Sequence, residues 1–212
     1  MIRKLCPIFV LTILMITILS NLAIAQCADS WVVITVQHQY VTPIGSLAKW
    51  FKPTSTFSLT IGKQTSERWA WKVKSEIIQY RKENTEELYH KDLELELVIY
   101  GGSAQASYGL LKTTSIFQPF LTGGAGLYRW FGHRGAYQLS EVLVPKRDQA
   151  DWSWGFNIGA GVNIFAIRNL AITLESSYQI IIGELWPALA LRLENVSGFQ
   201  SLDGTIGLMI FF

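Results

Sequence analysis

The sequence predicts an all-β protein: an eight-stranded antiparallel up-and-down transmembrane β-barrel, preceded by a cleaved signal peptide. Three observations predict it. Hydrophobic residues recur with period two over eight separate segments, the connections between those segments alternate long and short, and the two faces of the clearest segments differ in side-chain size as well as polarity.

At the amino end, Arg3-Lys4 precedes an apolar run from Leu5 to Ile24 that closes on Ala23-Ile24-Ala25, the layout of a secretory signal. Residues 1–25 are therefore assigned to the signal peptide and 26–212 to a single barrel domain. An uncleaved membrane helix is the alternative, because the run approaches the roughly 20 apolar residues a span needs. Pro7, Ser20, Asn21 and the small-residue site argue for cleavage. Gln26 stands before Cys27 where lipoprotein signals carry a small residue, which argues against acylation. With only Cys27 left after cleavage, no intrachain disulfide and no thiolate metal cage can form, and no cofactor is expected. Removing Arg3 and Lys4 from the 18 basic residues balances the mature chain against its 16 acidic ones. That balance gives no basis for nucleic-acid binding.

The eight segments run from about Trp31 to Val41, Thr54 to Lys63, Arg68 to Tyr80, Leu93 to Leu111, Phe117 to Phe131, Trp152 to Phe165, Leu170 to Gly183 and Leu202 to Phe212. A tilted strand needs about 9–11 residues to cross a bilayer, so these lengths fit, and the fourth is long enough to project beyond it. Pro119 cannot donate to a ladder and is expected at the start of the fifth strand.

The sixth segment places Trp152, Trp154, Phe156, Ile158, Ala160, Val162 and Ile164 on one face and Ser153, Gly155, Asn157, Gly159, Gly161 and Asn163 on the other. The seventh and eighth repeat the division, with Ile172, Leu174, Ile206 and Leu208 among the apolar positions. A soluble barrel alternates too, but its bulky apolar face turns inward and its outer face carries Lys and Glu. Here the polar face is small, which suits the crowded inside of an eight-stranded barrel, and the bulky apolar face suits lipid.

Long connections fall at Thr42–Pro53, Arg81–Asp92, Gly132–Asp151 and Glu184–Ser201, and short ones at Gln64–Glu67, Lys112–Ile116 and Ala166–Asn169. In an antiparallel meander this puts every long loop at one end. Trp69 and Trp71 then fall near the short-turn end and Trp152 and Trp154 near the opposite boundary, as an aromatic girdle at each membrane interface.

The last eight residues resemble the C-terminal assembly signal of outer-membrane barrels, with Thr205, Gly207, Ile210 and Phe212 in its four slots. Gln118-Pro119-Phe120-Leu121-Thr122-Gly123-Gly124-Ala125-Gly126-Leu127-Tyr128, Gly155-Phe156-Asn157-Ile158-Gly159-Ala160-Gly161-Val162 and Leu174-Glu175-Ser176-Ser177-Tyr178 are similar to recurrent stretches of the OmpA-like, porin-superfamily barrel domain, with Phe120 in place of the usual Tyr. The resemblance covers the whole mature chain. It implies residence in the bacterial outer membrane, contact with outer-membrane lipid and passage through the barrel assembly machinery, and it describes a scaffold rather than an activity.

The alternation places Lys72, Lys74 and Glu76 on the inward face of the third strand, Glu94 and Glu96 on that of the fourth, and Glu175 on that of the seventh. Opposite charges in so narrow a lumen suggest a polar plug held by ion pairs, because an unpaired buried charge is expensive. The expected role is structural or surface-interacting through the long loops, with a narrow porin-like channel as the first alternative. A lipid-modifying enzyme is the second, but no spacing ties His38 to Ser46, and His90 and His133 fall in expected loops. No catalytic residue is assigned.

Overall fold

The computed structural model describes residues 32–81, 94–111, 116–139, 142–167, 169–185 and 196–212. The expected signal peptide, Cys27 and His90 lie outside the described residues.

In chain order the strands are β1 (Val32–Ile44), β2 (Thr54–Gln64), β3 (Trp69–Tyr80), β4 (Leu95–Gly109), β5 (Phe117–Arg134), β6 (Tyr137–Leu139), β7 (Val142–Val144), β8 (Arg147–Ile167), β9 (Leu170–Leu185) and β10 (Val196–Phe211). β6 and β7 form a small hairpin of their own, and the other eight close an antiparallel barrel in the order β1-β10-β9-β8-β5-β4-β3-β2. Each of the eight expected segments becomes one stave. Several staves run further toward the long-loop end than the alternation indicates, because neighbouring backbones go on pairing there: β5 reaches Arg134, and β8 begins at Arg147 opposite it, whereas β4 is shorter than expected at both ends. β10 likewise begins at Val196, with a bulge at Gly198, whose φ of 75° favours glycine.

The register fixes the barrel's dimensions. Following paired residues around the wall leads from Val33 through Gly62, Lys72, Gln105, Gly124, Asn157, Gln179 and Ser201 to Pro43, a stagger of ten residues along β1. For eight strands about 4.8 Å apart this stagger corresponds to a tilt of about 40° and a radius of about 8 Å. The stagger is even, so every residue meets its own face again after one circuit. Where β2 and β3 stop pairing at the loop end, the hydroxyl of Thr54 donates to the Gln79 carbonyl at 2.9 Å and that of Thr56 to the Ile77 carbonyl.

The outside is apolar through the middle of the barrel. Trp152, Trp154, Phe156 and Ile158 of β8 are 48–67 % exposed, and Val73, Leu121, Leu127, Ile172, Ile206 and Leu208 are exposed around the rest of the wall. From Trp154 to Ile164 the apolar face climbs ten residues, about 26 Å along the axis at this tilt. That matches the roughly 25 Å apolar band of transmembrane barrels. Such a continuous apolar surface is a lipid surface, since water-soluble monomers rarely expose patches beyond a few hundred Å².

Inside, two apolar clusters bracket a polar middle. The larger, at the loop end, includes Val41, Ile78, Tyr80, Leu97, Ile99, Trp130 and Phe199; the smaller, at the turn end, is built on Val33, Ala171 and Met209 with Phe165 and Phe211 against it.

The assignment of faces predicts that Ile158→Arg destabilises the barrel by about 2–4 kcal/mol, the range for a cation on the lipid face near the midplane. Ala150→Arg, outward but beyond Trp152, is expected to cost about 0–1 kcal/mol. Urea unfolding in lipid vesicles measures both, and equal effects would contradict the assignment.

Candidate functional site

In the polar middle of the lumen, inward positions carry small polar groups or a large one matched to glycine, such as Tyr128. Buried Gln37 and Gln39 come from β1, Ser58 and Thr60 from β2, Lys74 and Glu76 from β3, and Asp203 from β10. The Gln37 side-chain oxygen accepts from the hydroxyls of Ser58 and Thr60, each at 3.2 Å. Gln39 donates to the Asp203 carboxylate at 2.9 Å.

Glu76 stands at the centre. One carboxylate oxygen lies 2.9 Å from the Lys74 ammonium, and the other accepts from the Tyr128 hydroxyl at 3.1 Å and from the Gln179 amide at 2.8 Å. Gln179 also lies 2.8 Å from the Tyr128 oxygen, so β3, β5 and β9 are tied across the barrel through one carboxylate. A Cβ at Gly101 would come within 1.9 Å of the Tyr128 ring and one at Gly155 within 2.5 Å, so the ring reaches Glu76 only because both wall positions are glycine.

Above this network the lumen is stopped with hydrocarbon. A 3-10 turn, Gly45–Lys49, follows β1 and folds into the mouth, where Leu47, Trp50 and Phe51 are at most 3 % exposed. They join Tyr80, Leu95, Leu97 and Trp130 in the larger cluster; the Trp130 indole N–H donates to Ser153 at 2.9 Å and its ring meets Phe199 edge-on. Strand periodicity gives no indication of this plug. The available signal is Leu47, Trp50 and Phe51, the large apolar residues that follow Gly45 in a connection also carrying Ser46, Lys49 and Lys52.

Of the expected lumen cluster, Lys74 and Glu76 pair, and Lys72 and Glu175 face the lumen nearer the turn end. Glu94 and Glu96 do not belong to it, which is a correction. Glu96 points outward and binds Arg81 at 2.8 Å, while Glu94 is exposed just before β4. The inward face of β4 is instead Leu95, Leu97, Ile99, Ser103, Gln105 and Ser107. Ser103, Gln105 and Ser107 fix the parity within the membrane. Beyond it the outside is water again, so the same parity turns apolar residues in and carboxylates out.

The four girdle residues Trp69, Trp71, Trp152 and Trp154 are all exposed on the outer wall. Trp69 packs against Tyr108 at the turn end, and at the other boundary the Arg129 guanidinium lies over Phe131 and Trp152 at 5.2 and 5.4 Å. Of the terminal signal, Thr205 and Gly207 turn inward and Ile210 and Phe212 outward. Phe212 exchanges both backbone hydrogen bonds with Val32, at 2.9 and 3.2 Å, sealing the last strand to the first. His38 lies edge-on to Phe57 on the outer wall. His133 ends β5 rather than lying in a loop and meets Asp148 at 2.5 Å. Among the described residues no three metal-binding side chains converge.

No family model matches the chain, and no curated protein matches it in sequence. Solved structures do match. Neisserial surface protein A aligns over 87 % of this chain and 98 % of its own at 17 % identity, with a TM-score of 0.50. A major outer membrane protein from Thermus thermophilus aligns over 85 % and 99 % at 7 % identity, with a TM-score of 0.59. The fold is that of the small eight-stranded outer-membrane β-barrels. At these identities the likeness extends to the fold alone.

Removing one member of a buried ion pair leaves the other charge uncompensated, at a cost of about 3–5 kcal/mol. Glu76→Leu, which also strips Tyr128 and Gln179 of their acceptor, is expected to fall in that range in vesicle unfolding. Adding Lys74→Met is expected to recover at least half of the loss. An additive double variant would show that the pair is not energetically coupled.

Proposed function

We propose that the protein is an integral outer-membrane barrel whose lumen is closed and which acts as a structural element or through its long-loop end, not as a pore and not as an enzyme. The observation that carries this reading is the stopper formed by Leu47, Trp50 and Phe51 over the Lys74–Glu76 network. An ion crossing the lumen would have to displace a packed apolar cluster and then break a buried ion pair and the hydrogen bonds around it. Hydrogen-bonded networks of this kind rigidify what they join.

A surface role is supported by what the loop end presents. Arg81, Glu96, His133 and Asp148 ring the outer wall beyond the aromatic boundary, and the β6–β7 hairpin carries an exposed Leu143 followed by exposed Lys146. A non-enzymatic role is supported by the separation of the available groups: His38 lies against Phe57 on the lipid side, whereas Ser46 belongs to the turn that folds into the mouth.

Two measurements test the reading. Refolded protein in planar bilayers is expected to insert without conductance steps, and reproducible steps that change when Lys74 is replaced by Met would establish a channel instead. On intact cells a membrane-impermeant maleimide is expected to label Leu143→Cys but not Glu67→Cys, relative to the unsubstituted protein; the reverse would invert the orientation.

A further inference from the structure

At the turn end the lumen is not filled. A cavity of about 380 Å³ lies below the polar network, with its rim on the β2–β3 turn at Glu67 and Arg68. Its walls are mostly apolar, from Val33, Phe120, Phe165, Met209 and Phe211, and Lys72 lines it from β3. The volume falls at the small end of the roughly 300–1,000 Å³ typical of ligand pockets.

Lys72 is not accommodated as its neighbour Lys74 is. Two residues further along the same face, Lys74 holds Glu76 at 2.9 Å, whereas the Lys72 ammonium lies 4.6 Å from the centre of the Phe120 ring and forms no ion pair among the described residues. Glu175 of β9 is also on the inward face and forms no ion pair with Lys72 among the described residues. A ring face compensates a cation only partly. Asn163 also lines the cavity, and its side-chain oxygen is buried with no hydrogen-bond partner. At the rim Glu67 and Arg68 stand on the β2–β3 turn, with the Arg68 guanidinium donating to the Tyr108 hydroxyl at 3.0 Å.

We propose that this cavity binds a monocarboxylate with a short apolar tail, its carboxylate on Lys72 and its tail against Phe165, Met209 and Phe211. Apolar walls with a few convergent polar groups are the general form of a small-molecule site, and a carboxylate gives the Lys72 ammonium the ion pair that the fold withholds. The volume of the cavity is sufficient for such a tail. The site lies on the side of the polar network away from the plug, and its occupancy is independent of whether the barrel conducts.

Met209 provides the probe, because it lines the cavity. With 13C-methyl-methionine labelling in lipid nanodiscs, and the resonance assigned by Met209→Leu, octanoate is expected to shift the Met209 signal saturably. Octanol and octylamine, with the same tail and a neutral or cationic head, are expected to give at most a tenth of that affinity. Lys72→Met is expected to weaken octanoate at least tenfold, Lys72→Arg to retain it, and Glu175→Gln to tighten it severalfold by removing a competing charge. Equal shifts from octanoate and octanol would overturn the proposal, as would unchanged octanoate affinity in a folded Lys72→Met. Should Lys72→Met fail to insert, the head-group series on the unsubstituted protein and the Glu175→Gln comparison decide the question by themselves.

Discussion

Closing eight strands with a stagger of ten residues leaves a tube of about 8 Å radius, and that limit governs what can stand inside. The wall is backbone, so each large inward side chain must lean over a neighbouring position that has no side chain. Tyr128 lies against Gly101 and Gly155, and Phe120 against Gly161, where a Cβ would come within 2.6 Å of the ring. Between the two apolar clusters, inward hydroxyls and amides bond one another, as Gln37 does with Ser58 and Thr60 of the adjacent strand. The register chooses which strands meet: Glu76 on β3 touches Tyr128 on β5 and Gln179 on β9 because a tube this narrow brings distant staves within hydrogen-bonding reach.

The barrel also passes through two solvents, and a single strand records the change. In lipid the backbone must be satisfied internally and the outer face must be apolar. In water the outer face can carry charge and the core must be apolar. β4 makes the transition without changing parity, from Ala104 and Ala106 outside with Ser103 and Gln105 inside to Glu96 outside with Leu95 and Leu97 inside. The upper part of the molecule is thus a small soluble-like barrel, with its own core and an Arg81–Glu96 pair on its surface. Exposed to water as it is, that pair contributes little to stability.

The two ends of the lumen consequently differ in kind. At the loop end the chain supplies its own stopper, folding Trp50 and Phe51 back into the mouth. At the turn end the short connections have no residues to spare for a second stopper, and a cavity lined by Lys72 is left below the network. The proposed ligand site occupies this hollow end, on the side of the network away from the stopper.

The staves, their order and the direction of the apolar face on β8, β9 and β10 were legible in the residues alone, because strand periodicity is local and the lipid face requires bulky hydrocarbon over a whole segment; on β4 the inward face was misread. Trp152 to Ile164 carried that signal in full. The inward placement of Lys72, Lys74, Glu76 and Glu175 was legible too, since their strands alternate cleanly within the membrane. The closed barrel settled what periodicity could not reach. Whether Glu96 points in or out depends on where the bilayer ends along β4, and no alternation marks that level. Which charge finds a partner depends on register around the whole ring: Lys74 meets Glu76, Tyr128 and Gln179 meet the same carboxylate from other staves, and Lys72, two residues away, meets a ring face. Pairing across a closed tube is a non-local property, set by the stagger with which the last strand, ending at Phe212, meets the first at Val32.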